Sequence, residues 1–258
     1  YQESFRNIYT SLRFIDVDKP LRKIIITSSI PKEGKSLINI LLAKTLADVG
    51  LKVLLIDADM RKPQIHTRLG LNNIVGFSNL LVEKDKKLES IIQSVKGVKN
   101  LDILSSGRSV PDTTRLLSSQ RLKDIIKDIE EKNYYDYVLF DAPPILGLSD
   151  ASLISNYCDG IVLVVTKNFV NKTLPQESVK RILINSNLIG LITNNKKEIT
   201  VTDKAGKSVV GTYGYEEYAA LGYFDEDKNA SSKNLEGNDS LLTKSLSKLR
   251  DLKDKFIT

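Results

Sequence analysis

The chain has 258 residues, 41% hydrophobic and 27% charged, enough for one sizeable α/β domain and ordinary for a soluble globular protein. Its longest apolar runs, such as Ile161 to Val165, fall far short of the roughly 20 residues that cross a bilayer. The formal charge of +6 comes from scattered lysines rather than a dense basic run, so no nucleic-acid partner is expected, and the single Cys158 permits no internal disulfide and suits a reducing compartment.

In chain order, the opening run YQESFRNIYTSLRF reads as an amphipathic helix with Phe5, Ile8 and Leu12 on one face. It starts at Tyr1 with no basic-then-apolar leader, the pattern of a fragment or processed product. A strand run, KIIITSS, follows. SSIPKEGKS then fits a phosphate-binding loop, S-x-x-x-x-G-K-S, led by Ser29 and closed by Gly34, Lys35 and Ser36, after a strand and before a helix. There the backbone from Ser29 through Pro31, Lys32, Glu33 and Gly34 to Leu37 is expected to cradle anionic oxygens. Lys35 would reach the β- and γ-phosphates and the Ser36 hydroxyl would ligate Mg²⁺. The helix KSLINILLAKTLADVG is expected to turn Leu37, Leu41, Leu42, Leu46 and Val49 to one face before Gly50 ends it.

The next strand run, KVLLIDADMRKP, carries Asp57 and Asp59 two residues apart, pointing the same way if still extended. Either they approach a metal and γ-phosphate, or they shape a turn. His66 and Cys158 read as packing or turn residues. LDILSSG supplies another strand. Tyr134, Tyr135 and Tyr137 cluster before YVLFDAPP and are expected to be partly buried; Asp141 there ends a buried strand, where it can hold Mg²⁺ through water. GIVLVVT and LIGLITNN complete six runs whose continuous apolarity implies strands buried on both faces of a mostly parallel sheet. After Asn195 the runs stop and the chain turns polar, as in a flexible tail. That tail holds Tyr213, Tyr215, Tyr218 and Tyr223, four of ten tyrosines, and LLTKSLSKLRDLKDKF, which spaces Leu242, Leu246, Leu249, Leu252 and Phe256 as an amphipathic helix.

These motifs together resemble the bacterial tyrosine kinases, the P-loop kinases of capsule and exopolysaccharide export, over nearly residues 3–224. In that family SSIPKEGKS is the Walker A motif, LLIDADMR the additional Walker A′ motif and VLFDAPP the Walker B motif, followed by LGLSDA, and a tyrosine cluster closes the chain. The resemblance implies a three-layer α/β/α P-loop fold in residues 19–200. It further implies a possible oligomerisation helix in 1–18 and a tyrosine tail in 201–258. ATP and Mg²⁺ are the implied cofactors and autophosphorylation of Tyr213, Tyr215, Tyr218 and Tyr223 on neighbouring subunits the implied reaction. Carried over, Lys35, Asp57, Asp59 and Asp141 are catalytic, Ser36, Asp57 and Asp141 hold the metal, and Asn194 lies near the adenine. Arg61 and Lys62 would stabilise transferring charge. The implied partners are further copies of the chain, a membrane polysaccharide co-polymerase on the same chain or as a separate activator, and a cognate tyrosine phosphatase, with this soluble segment at the cytoplasmic face of the plasma membrane.

The chain departs from the family in places. ESFRNIY supplies Glu3 and Arg6 of the interface pattern E-x-x-R-x-x-R but Tyr9 in its last place, and GRSVPDTTRLL carries Asp112, Thr113 and Arg115 where Asn, Pro and Glu are commoner. Two rival functions remain: a partition or septum-site ATPase switch, whose loop would carry a lysine where Ile30 stands, and an idle nucleotide-binding scaffold. Phosphotyrosine formation from ATP and Mg²⁺ separates both from a kinase.

Overall fold

The computed structural model describes residues 2–15, 21–195, 201–202 and 208–209. Helix α1 (Gln2–Ile15) precedes strand β1 (Lys23–Ser28), helix α2 (Lys35–Asp48) and strand β2 (Val53–Asp57). Short helices α3 (Ile65–Leu69) and α4 (Phe77–Val82) lead to strands β3 (Gln93–Ser94) and β4 (Leu101–Leu104). Helices α5 (Thr113–Leu117) and α6 (Gln120–Lys132), strand β5 (Tyr137–Asp141), helix α7 (Asp150–Ser155), strand β6 (Gly160–Lys167), helix α8 (Thr173–Asn185) and strand β7 (Leu188–Asn195) follow.

Seven strands form one sheet in the order β3-β4-β2-β5-β1-β6-β7. All its pairings are parallel except β3 with β4. Alternate residues of β1 serve opposite cores, Ile25 facing the cluster with Phe77, Leu104, Phe140 and Ile154, Ile24 and Ile26 facing the one with Leu42, Leu46 and Ile65. The three-layer expectation holds, since parallel strands connected by helices must be covered on both faces. Phe77, fully buried, anchors the first core from the start of α4. Phe77→Ala is expected to cost about 3–5 kcal/mol, seen as a lower denaturation midpoint at unchanged slope.

Phe5 and Leu12 of α1 are buried against the second cluster, as expected of that face. Helix α2 ends where foreseen: Gly50 takes φ 94° and its N–H and that of Leu51 bond back to Ala47 and Leu46. Its buried face differs from the expected one. Leu37 and Val49 are exposed, while Ile38, Asn39, Leu42, Ala43, Leu46 and Ala47 are buried. The helix lies between sheet and α1, so the small Ala43 and Ala47 carry contact that a leucine count overlooks. Strand β7 is likewise not buried on both faces; as the outermost strand it alternates half-buried and exposed residues. Past it, Val201–Thr202 and Ser208–Val209 form an unforeseen antiparallel pair. Among the described residues no helix is long and apolar enough to cross a membrane.

Candidate active site

Strand β1 ends at Ser28 and α2 begins at Lys35, so Ser29 to Gly34 loop over the sheet edge where β2 and β5 also end. Lys32 (φ 68°) and Gly34 (φ 91°) both take left-handed backbone, which folds the loop back onto the helix start. Ser29, Pro31, Lys35 and Ser36 are buried, whereas the Lys32 and Leu37 side chains are exposed.

The Lys35 ammonium stands 3.0 Å from Asp59 Oδ2 and 3.3 Å from Asp141 Oδ2. It lies 3.3 Å from Ser36 Oγ. Asp57 and Asp141 are register partners on adjacent strands, both fully buried. Asp57 Oδ2 accepts from the backbone N–H groups of Gln64 (3.2 Å) and Ile65 (3.1 Å), which ties α3 to the end of β2. Its Oδ1 is buried without a hydrogen-bond partner, as is Asp141 Oδ1. One oxygen of Asp57 thus fills the turn role foreseen for it, and the other is left unpartnered. Asp59 lies past the end of β2, so its meeting with Lys35 comes from the following turn, in which Asp59 Oδ1 accepts from the Lys62 N–H at 3.0 Å.

Burial alone would lower the Lys35 pKa, but the carboxylates of Asp141, Asp59 and Asp57 outweigh it and raise the ammonium above its ordinary value. Burial, then repulsion from Asp141 and Asp59, pushes the Asp57 carboxyl well above the usual range. Burial also raises Asp141, against the opposing pull of Lys35. Lys35 shares this space with three buried carboxylates, two of them raised, and a divalent cation bound there would favour their ionised forms. The two orphaned oxygens, the wound loop and the Ser36 hydroxyl fit a nucleoside triphosphate with Mg²⁺. Among the described residues no three acidic, imidazole or thiol side chains converge on one metal position. Mg²⁺ takes one or two carboxylates and completes its shell with water and phosphate oxygens.

Other foreseen residues fall in varied places. Glu33, whose backbone was expected in the cradle, turns its carboxylate into the protein, where it accepts from the N–H groups of Ile30 (2.9 Å) and Thr166 (3.0 Å). Asn194 reaches the same loop, its Nδ2 donating to the Glu33 carbonyl at 2.9 Å. Arg61 Nε donates to Asp150 Oδ2 at 3.1 Å. Glu3 and Arg6 are exposed on α1. Tyr137 is buried and Tyr135 donates to Asp102 at 2.9 Å, but Tyr134 is exposed, its ring under the Lys52 ammonium. His66 lies half-buried in α3 rather than at a turn, bonded to Thr67, and burial pushes the Cys158 thiol upward. The four tail tyrosines and the run from Leu242 to Phe256 lie outside the described residues.

Asp150 escaped the sequence reading. It is fully buried, receives the hydroxyls of Thr113 (3.1 Å) and Thr114 (3.4 Å) besides Arg61, and so joins the A′ turn to α5 and α7. Asp112, in the departing segment, caps α5 through the Arg115 N–H at 2.8 Å. The one available signal for Asp150 was an acid at a helix start downstream of a strand-end acid.

A family described as an AAA domain matches residues 22–197. Over 196 residues the chain is 40% identical to the tyrosine-protein kinase YwqD of Bacillus subtilis, covering 76% of this chain and 81% of that protein. The chain belongs to the bacterial tyrosine kinases. It is 34% identical to the tyrosine-protein kinase CpsD of Streptococcus agalactiae, over 78% of this chain and 85% of that one. The kinase domain of the Escherichia coli tyrosine kinase ETK superposes with a TM-score of 0.71 at 28% identity, covering 83% of this chain and 80% of that chain. The chain that carries this loop is thus a P-loop protein-tyrosine kinase.

Proposed function

We propose that this site transfers the γ-phosphoryl group of ATP to Tyr213, Tyr215, Tyr218 and Tyr223 on neighbouring copies of the chain. The observation that carries the proposal is the convergence of Lys35, Asp57, Asp59 and Asp141 at the mouth of the phosphate loop, with two buried carboxylate oxygens unpartnered. Phosphoryl transfer forms a bond from the tyrosine oxygen to the γ-phosphorus and breaks the bond to the bridging oxygen, releasing ADP. Lys35 lies against the transferred group and neutralises its charge, and Asp57 orients the attacking hydroxyl and takes its proton. A tyrosine of pKa about 10 faces an ordinary aspartate near 4; the proton therefore moves late, once bond formation to phosphorus has made the tyrosine oxygen far more acidic. Ser36 and the orphaned oxygens of Asp57 and Asp141 would hold Mg²⁺, which supplies further charge neutralisation when bound. Ile30, fully buried in the core, stands where a partition or septum-site switch would carry its extra lysine.

Between Asn194 and Tyr213 the chain would extend to roughly 60 Å only with the Val201–Val209 pairing opened, so length permits transfer in cis and in trans. Each phosphotyrosine adds about −1.5 to −2 charges, and four would offset the formal +6. In this reading unmodified tails dock in neighbouring sites and hold the oligomer, and modified tails leave. A membrane co-polymerase in capsule or exopolysaccharide export activates the kinase at the cytoplasmic face, and a tyrosine phosphatase resets it. The test mixes a full-length Lys35→Met chain with an active chain whose four tail tyrosines are Phe. Phosphotyrosine is expected on the Lys35→Met chain; its absence there, with ADP still released, would rule out transfer in trans.

A further inference from the structure

The phosphate loop contains a fully buried acid, Glu33, where it should receive polyphosphate. A carboxylate facing the ligand would repel it, and the structure shows where the charge goes instead. Thr166, near the end of β6, meets Glu33 twice. Its N–H donates to Oε1 at 3.0 Å and its hydroxyl donates to the Glu33 carbonyl at 2.7 Å. Asn194, near the end of β7, donates to the same carbonyl at 2.9 Å. The other carboxylate oxygen accepts from Ile30 N–H at 2.9 Å, closing the loop on itself. Both lone pairs of one loop carbonyl are therefore held by side chains from two neighbouring strands.

A trans peptide is planar, with C=O and N–H on opposite sides. Strands β6 and β7 lie on one side of β1, and β5 and β2, which carry Asp141 and Asp57, lie on the other. A Glu33 carbonyl drawn toward β6 and β7 turns the Gly34 N–H toward the acid cluster and Lys35. The left-handed Gly34 fits this peptide closely, since a β-carbon there would stand 2.7 Å from Asn194 Nδ2. We propose that Thr166 and Asn194 are positioning residues of the phosphate loop: by fixing the Glu33–Gly34 peptide they aim its N–H at the ligand's phosphates and hold the loop formed before ligand arrives. The proposal rests on the reading of this site as a nucleotide site. It gives Asn194 a task on the phosphates that is separate from any contact with the base.

The experiment measures Mg²⁺-ADP and Mg²⁺-tripolyphosphate binding by calorimetry in wild type, Thr166→Val, Thr166→Ser and Asn194→Ala. Thr166→Val removes one hydroxyl at nearly constant shape. It is expected to weaken both ligands about tenfold, the scale of one well-placed hydrogen bond. KM for ATP rises in parallel while kcat changes little, because saturating ligand restores the loop. Thr166→Ser restores affinity, and Asn194→Ala loses tripolyphosphate binding to a similar degree. Unchanged tripolyphosphate affinity in Thr166→Val and Asn194→Ala would overturn the proposal, including the case where only the melting temperature falls. Wild type that binds neither ligand would overturn the nucleotide reading itself.

Discussion

Asp57→Asn is expected to lower tyrosine phosphorylation about 100-fold, the usual scale for a lost proton acceptor, and to make the unliganded protein more stable at neutral pH. The two effects have one origin. Asp57 is fully buried, and burial with the charges of Asp141 and Asp59 raises its carboxyl well above the ordinary value. A carboxyl whose folded pKa exceeds its unfolded value favours folding below the unfolded value, about 3.9, and that contribution is lost as pH rises through the folded pKa. At neutral pH the ionised group therefore costs stability. Asparagine removes the charge, and its amide oxygen can still accept from Gln64 and Ile65, while its NH₂ can donate to the orphaned Asp141 Oδ1. Melting temperatures of both proteins in chelator, from pH 4 to 8, should converge at the acid end and separate in favour of the variant toward pH 8. A variant less stable than wild type at pH 8, or one with full kinase activity, would contradict the assignment. Added Mg²⁺-ADP should reverse the order, because wild type gains more from a ligand that uses the charge.

Much of this site was legible because its chemistry is local. Lys35 and Ser36 follow a β-branched strand and open a helix, and Asp141 ends an unbroken apolar run, so each side chain's place followed from its own neighbours. What stayed hidden depends on partners distant in the chain. Glu33 looked like one more residue of the cradle until Thr166, far along on β6, turned its carboxylate inward. Asp150 drew no reading at all, because Arg61 and Thr113, which converge on it, are distant in the chain. The expected leucine face of α2 failed for a related reason. A helix packed on two sides buries alanines and even Asn39, whose amide leaves no periodic trace. The same holds for β7, whose apolar run resembles its buried neighbours although nothing described covers its outer edge.

Lys35→Met is expected to reduce phosphotransfer by about 10³-fold or more, the scale on which a cation stabilises a transferring phosphoryl group, and to reshape the pH dependence of folding. In wild type the ammonium lies 3.0 Å from Asp59 and 3.3 Å from Asp141 and is held above its ordinary pKa by Asp141, Asp59 and Asp57 against the lowering effect of burial. A raised lysine stabilises the fold at every pH below its unfolded value and loses that contribution only as pH climbs through its folded one, so it protects wild type across the working range. Methionine fills a similar space but removes the ammonium that stands between the buried Asp59 and Asp141. Breaking a buried ion pair in this way costs about 3–5 kcal/mol when the remaining charge must stay ionised. Without the ammonium, Asp57 and Asp141, already raised by burial, are raised further and escape part of that cost by binding protons, so the variant loses stability steeply as pH rises. Urea denaturation should therefore show a small deficit for Lys35→Met at pH 5 and a large one at pH 8, and Asp59→Asn added to Lys35→Met should recover part of it. A deficit equal at both pH values would mean that the lysine contributes packing rather than charge, and wild-type phosphotransfer in Lys35→Met would remove it from the site.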